Sequence, residues 1–236
     1  SDLSPHSQTQ LLCQELSLIR PPQNYSLHKG KIREGLIVIQ KLNIETGQAT
    51  PPVISLAPLI NKQPLTHHQM NSFISSDLID RDTKNYQELL RTALFLRGKR
   101  LNPYSSVNYD RNSETVLVDN SPWMQANSTT SPGNDIVREL TIHASAALAI
   151  FAYWNNIPVI YKGTDDTTHN YRPIFDTQPL IHRYYNLTAY LNISRQLRCF
   201  IDKINGLQLP SFLQPPSLEH LPINPTAMQN LKQLCT

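Results

Sequence analysis

The chain has little glycine, little cysteine and little net charge. Seven glycines stand against 18 prolines in 236 residues, so its connections read as irregular, proline-punctuated loops between a few long helices. The three cysteines, Cys13, Cys199 and Cys235, show no C-x-x-C or metal-ligand spacing, and their odd number argues against a disulfide framework. A reducing, intracellular compartment, cytoplasm or organelle, is the expectation. No apolar run approaches the roughly 20 residues that span a bilayer, and the N-terminus has no signal-peptide core, so no membrane span is expected. A net charge of +3 is weak for a free-standing nucleic-acid binder, whose affinity comes largely from neutralised phosphates. Between Lys162 and Lys203 six Lys and Arg stand against four Asp and Glu, a faint basic patch.

What is present suits a globular chain with one core of respectable size, since 39% of its residues are hydrophobic. Periodicity predicts an opening helix over 5–18, with Leu11, Leu12 and Leu16 on one face. A strand over Gly35–Ile44, a turn at Glu45–Gly47 and a strand over Val53–Leu59 read as a hairpin. Thr66 and Gln69 form a capping box for a short helix, His67–Ile74. His67 and His68 point about 100° apart on that helix, which does not suit a shared metal. A longer helix, Asn85–Arg100, displays Arg91, Arg97, Lys99 and Arg100, which helix-end electrostatics and RNA contact explain equally well. A strand at Thr115–Asp119 and a low-complexity loop at Ser121–Gly133 lead to a long helix capped by Asn134 or Asp135. There Ile136, Leu140, Ala144, Ala147, Leu148 and Phe151 recur at helical steps, while Glu139 and His143 read as a helix-surface pair. Residues 207–225 read as a proline-rich extended strap, and Thr226–Leu234 as a short closing helix. The predicted division is 1–206 and 207–236. The predicted class is α/β of the α+β kind, a mixed or antiparallel sheet packed with several helices around the long one.

The most informative stretch is TAYLNISRQLRCFID, residues 188–202. A strand-like run ends at Asn192, and Ser194 suits the N-cap of a following helix, which puts Arg195 and Arg198 in its first turn. A cation there opposes the positive end of the helix dipole, a conflict that a bound anion such as phosphate resolves. Pairing of Arg198 with Asp202 at i+4 resolves it equally well. Aromatics nearby, among them Tyr161, Tyr171, Tyr184, Tyr185, Tyr190 and Phe200, suit either stacking on single-stranded bases or a core.

This stretch resembles the signature near the end of the catalytic domain of the ribonuclease II (RNB) family, H-x-G-L-x-x-x-A-Y-x-H-F-T-S-P-[IL]-R-[RK]-Y-x-D-L. His182, Ala189, Tyr190, Leu197, Arg198 and Asp202 match it without a gap. Asn192 stands at the family's His, Ser194 at its Thr, Arg195-Gln196 at its Ser-Pro and Cys199 at its second basic residue. Residues 136–162, IVRELTIHASAALAIFAYWNNIPVIYK, are similar to the family's long helix and the I-P-x-x-Y-R after it, with Glu139, Ala144, Ala149, Ile157, Pro158, Tyr161 and Lys162 in place. LLCQELSLIRP (11–21), REGLIVIQKLNIETGQ (33–48) and LAPLINKQPLTHHQMNSFI (56–74) resemble three earlier family segments, in order. The resemblance covers about residues 3–210. It implies the C-terminal portion of an RNB-type catalytic domain, with Arg198 inheriting a contact to the scissile phosphate and Tyr190, Ser194, Arg195 and Arg198 facing RNA.

The family also carries, ahead of these segments, an aspartate cluster of the form D-D-x-x-x-x-D-x-D-D-A that binds Mg²⁺. The densest acidic runs here, SSDLIDRD (75–82) and TDDTTH (164–169), lack that spacing. The expectation is that this chain holds no metal ligands and no cofactor of its own, although the family uses Mg²⁺. By that reading it is catalytically inactive alone, a structural or assembly subunit among other protein chains with some RNA binding retained. The alternative is the C-terminal part of a split or processed Mg²⁺-dependent 3′-to-5′ exoribonuclease acting on single-stranded RNA.

Overall fold

The computed structural model describes residues 28–77, 80–100, 112–118, 121–127, 131–164, 173–194, 199–214, 223, 225–226 and 228–229. The helix expected at 5–18, Cys13 and Cys235 lie outside them, as does most of TDDTTH. In chain order the elements are β1 (Ile32–Ile39), β2 (Val53–Ile60), α1 (His67–Ile74), α2 (Arg81–Arg100), β3 (Asn112–Val118), β4 (Ser121–Asn127), α3 (Pro132–Trp154), β5 (Tyr161–Thr164), β6 (Pro173–Asp176) and α4 (Phe200–Leu213), with a 3₁₀ turn at Arg183–Tyr185. The strands form three two-stranded antiparallel sheets, β1-β2, β3-β4 and β5-β6, so the class is α+β as expected. The chain divides into two compact units, residues 65–143 and the remainder, with the boundary inside α3.

In the larger unit β1 pairs with β2 from Ile32 opposite Ile60 to Ile39 opposite Val53. The expected first strand, Gly35–Ile44, is shifted toward the N-terminus because the chain beyond Ile39 is spent on the turn. Lys41 N–H donates to Thr50 Oγ1 at 3.1 Å, and Asn43 Oδ1 accepts from the N–H groups of Glu45 and Thr46 at 2.9 and 3.0 Å. Gly47 closes the turn at φ 74°, a conformation that strains residues with a Cβ.

The main core joins Leu148, Ala149 and Ala152 of α3 to Ile54, Ile157, Val159, Tyr161, Ala189, Leu191 and Leu209. The alanines let the chain after α3 approach closely, and each large aliphatic side chain buried there contributes about 1.5–3 kcal/mol. A second cluster gathers Ile160, Ile201, Ile204 and Met228. Val159 and Tyr161 enter one cluster and Ile160 the other, the alternation of an extended chain. A Cβ on Gly163 would lie 2.7 Å from Leu180 Cβ and 2.9 Å from Ile181 O, so the approach of that loop to β5 requires glycine.

The expected strap beginning at 207 is corrected. Residues 207–213 continue α4, with Pro210 inside the helix, and Ile204, Asn205, Gln208 and Leu209 are buried. Tertiary burial outweighs proline's helix-breaking cost there. Residues 225–226 and 228–229 are helical; the rest of the expected closing helix lies outside the described residues.

In the smaller unit α1 starts with the expected capping box: Thr66 Oγ1 accepts from Gln69 N–H at 3.2 Å while Gln69 Oε1 accepts from Thr66 N–H at 2.9 Å. Helix α2 begins four residues before the expected start, where Asp80 Oδ1 accepts from Thr83 N–H at 2.6 Å. That bond holds the Asp80 carboxyl below its usual pKa. The segment expected as a loop from Ser121 is instead strand β4, paired with β3 from Ser121 opposite Val118 to Asn127 opposite Asn112. A ladder of backbone bonds needs no hydrophobic pattern to form.

Helix α3 begins at Pro132, ahead of the expected caps. The acceptor at its start comes from α1, where Asn71 Oδ1 takes the Gly133 N–H at 2.8 Å. By length and composition alone α3 is apolar enough to cross a membrane, because its charges cluster near its start, but the core helix of a soluble protein passes the same test. Half of its most apolar window is buried inside the protein.

Candidate nucleic-acid interface

The motif segment is anchored before it reaches its arginines. Leu191 is fully buried and bridges Tyr161, and Lys162 N–H donates to Tyr190 O at 2.8 Å. Asn205 of α4 then fixes two chains at once. Its Oδ1 accepts from Ile160 N–H at 2.9 Å, and its Nδ2 donates to Ile160 O at 2.9 Å and to Asn192 O at 3.0 Å. One residue on, Ile193 is half-buried, and Ser194 is exposed. Arg195 and Arg198 lie outside the described residues.

Ser194 does not cap the helix that follows it. Helix α4 starts at Phe200 with Cys199 as N-cap, no side-chain cap bond, and Asp202 in its first turn. Both arginines therefore precede the helix in sequence instead of occupying its first turn. Asp202 is a carboxylate at the positive end of the dipole, so the electrostatic conflict inferred from the sequence is absent from this helix.

Tyr190 is buried, and its ring meets His182 at 5.0 Å and Tyr185 at 5.2 Å between centroids, both edge-on. His182 stacks on Tyr185 at 4.4 Å and 11°. The structure thus brings the motif's first residue, His182, against its tyrosine. His182 is 3% exposed, and neither ring nitrogen has a hydrogen-bond partner. Burial first, and then the Lys162 charge, push its pKa down to about 4. The imidazole is neutral at physiological pH.

The smaller unit holds a separate charged group. Arg100 pairs with the fully buried Glu139, and Arg138 Nε lies 3.5 Å from the same carboxylate. Asp135 receives Arg138 and, at 3.8 Å, Arg97. Glu139 is therefore no helix-surface partner of His143, and two of the arginines expected on display, Arg97 and Arg100, turn toward α3. Burial and the Arg100 charge lower the His143 pKa. Arg91 stays at the surface, 3.8 Å from Glu88.

No group of three or more His, Cys, Asp or Glu side chains able to hold a metal occurs among the described residues. Four described carboxylates are committed elsewhere: Asp135 and Glu139 to arginines, Asp80 to the start of α2, and Asp176 to the N–H groups of Thr177 and Gln178.

Sequence reading missed Asn205 and Gln208. Gln208 is also buried and clasps Ile223, donating to its O at 2.7 Å and accepting from its N–H at 2.9 Å. Two amides three residues apart in an otherwise apolar stretch, INGLQL, were the available signal. Also missed was a cleft of about 200 Å³ beyond the end of α3, lined by Tyr153, Asn156, Tyr161, Gln178 and Gln229 among others.

No family model matches the chain, and no curated protein matches it by sequence. Solved structures do. An active-site mutant of Dss1 exoribonuclease from Candida glabrata superimposes over 90% of this chain with a TM-score of 0.69 and 19% identity. RNase R from Mycoplasma genitalium does so over 89% with a TM-score of 0.68 and 14% identity, and has also been solved with ribose-methylated single-stranded RNA. Yeast Ssd1, a pseudonuclease, matches over 89% with a TM-score of 0.64 and 13% identity. The chain spans 33%, 41% and 32% of those three chains. Its fold is that of part of a ribonuclease II-type exoribonuclease, as the sequence motifs implied.

Proposed function

We propose that the chain is an RNB-type domain portion that contacts the backbone of single-stranded RNA through Arg198 and, by itself, does not hydrolyse it. One observation carries this reading: the arginine-bearing segment is pinned on both flanks, at Asn192 by Asn205 and at Phe200 by the start of α4. Those two flanks are fixed in the described fold, and a guanidinium carried between them suits bidentate contact with phosphate. The eroded motif positions, Asn192, Arg195, Gln196 and Cys199, support a role without chemistry, as does the likeness to a pseudonuclease. Such a chain works as a structural or assembly subunit beside other proteins.

A second reading is favoured by the retained Arg198 and by the likeness to Dss1 and RNase R. There the chain is part of an Mg²⁺-dependent 3′-to-5′ exoribonuclease whose metal-binding residues lie elsewhere in the enzyme. Arg198 would then stabilise charge developing on the scissile phosphate. The test is to incubate the purified chain with single-stranded RNA and Mg²⁺, and to measure binding and decay for wild type and Arg198→Ala. Binding that falls about tenfold in the variant, without decay, supports the first reading. Decay by the isolated chain overturns it. Decay that appears only with natural partners, and is lost in Arg198→Ala, establishes the second.

A further inference from the structure

At the end of α3 two aromatic side chains stand in solvent. Tyr153 is 55% exposed and Trp154 69% exposed, in a chain with only two tryptophans. The helix ends there in a turn: Asn156 takes the left-handed conformation at φ 53°, which asparagine tolerates better than most residues. Ile157 N–H bonds back to Ala152 O at 2.8 Å. This turn forms one wall of the cleft of about 200 Å³. Tyr161, bridged to Leu191 of the motif strand, also lines it, and Gln178 and Gln229 contribute amides. The Gln229 amide nitrogen donates to the Thr177 hydroxyl, which orients the group.

Three properties select the ligand. No side chain lining the cleft among the described residues is charged, so the cleft suits neither phosphate nor an acidic peptide. It is smaller than the roughly 300–1,000 Å³ of sites that engulf a drug-sized molecule, so it takes a single small group. Its polar lining is mainly the three amides of Asn156, Gln178 and Gln229, each of which both donates and accepts, as the edge of a nucleobase does. Burial and the neighbouring Tyr153 raise the Tyr161 phenol to a pKa of about 12, which keeps its proton available as a further donor. A proline-rich peptide, the other partner of exposed tyrosines, offers mainly carbonyl acceptors and leaves the amide oxygens unused.

We propose that this cleft takes one unstacked nucleobase of a single strand, its face against Tyr153 and its edge on the amides of Asn156, Gln178 and Gln229. The inference rests on the RNA-contact reading above and gives it a second site, for bases where Arg198 serves phosphate.

The experiment uses the full chain, with adenosine and uridine as probes in NMR titrations, and short poly(A) beside an abasic oligomer of equal length in binding assays. Nucleosides should shift the amide resonances of residues 153–161 in wild type and in Arg198→Ala, and not in Tyr153→Ala. Tyr153→Ala should weaken poly(A) binding about tenfold without changing its salt dependence, and leave abasic binding unaltered. Gln229→Ala, at a surface position, should show the same selective loss. Poly(A) binding that depends on Arg198 yet is unchanged in Tyr153→Ala and Gln229→Ala overturns the base site alone. Shifts in the cleft with a proline-rich peptide and none with nucleosides overturn it in favour of protein docking. Nucleoside binding without any RNA binding retires the RNA-contact reading and leaves the base site standing.

Discussion

His182 is a titratable group held where a proton is unwelcome. Its ring is used for packing, against Tyr185 and Tyr190, while both nitrogens go without partners. The folded pKa of about 4 lies below the ordinary value of 6.5. Between those values the unfolded chain takes up a proton that the folded chain refuses. This residue's contribution is thus complete above pH 6.5 and declines as pH falls toward 4, by at most about 1.4 kcal/mol per unit. Replacing it with a ring that has no nitrogens removes the unpaired polar atoms as well as the titration. His182→Phe should match or exceed wild type in urea midpoint at pH 7.5 and lose less stability than wild type at pH 5. Parallel pH profiles for the two proteins would refute this account. Glu139 poses the opposite problem, a fully buried carboxylate bound to Arg100. Glu139→Leu should cost about 3–5 kcal/mol by stripping Arg100 of that carboxylate, whereas Glu139→Leu with Arg100→Leu should recover most of the loss, as denaturant titrations of all four combinations would show.

At the level of elements, α4 is the clasp of the larger unit. Asn205 replaces a missing ladder partner for Ile160 and also holds Asn192, so one side chain supplies three hydrogen bonds in a dry interior. Asn205→Leu fits the apolar surroundings in volume but orphans three backbone groups, at about 1–3 kcal/mol each before relaxation. The expected outcome is a loss of about 3 kcal/mol and faster hydrogen exchange at the Ile160 amide; unchanged protection there would show that another group had taken over the N–H. Elements of this kind mark the limit of what sequence shows. The helix His67–Ile74 was legible because its cap is local, Thr66 and Gln69 within four residues. The start of α3 was not, because its acceptor, Asn71, comes from a separate helix. The true extent of α4 was hidden by Pro210, a local helix breaker overruled by burial of Ile204 and Leu209 in the turns before it. Strand β4 was hidden because SPWMQAN opens on Ser-Pro and does not alternate polar with apolar residues. The motif around Tyr190 was legible as a string, yet its placement among His182 and Tyr185 required the fold.

For the whole molecule, the RNA contact proposed above depends on how charge is distributed. The net charge is only +3 over 236 residues, and among the described residues Arg97, Arg100 and Arg138 are engaged by Asp135 and Glu139. Affinity for a single strand must then come from a few local contacts, with stacking supplying the part that salt does not screen. With two or three phosphates neutralised, the logarithm of the binding constant should fall with the logarithm of salt concentration with a slope of about −1.4 to −2.1, at roughly −0.7 per contact. Arg198→Ala should flatten that slope by about 0.7 and weaken binding similarly for every sequence, because a phosphate contact reads no base. Fluorescence anisotropy of labelled poly(A) and poly(U) across a salt series measures both quantities at once. A wild-type slope beyond about −5 would mean a wide basic surface and would overturn the account by a few local contacts. A slope untouched by Arg198→Ala would mean that Arg198 makes no contact with the RNA backbone.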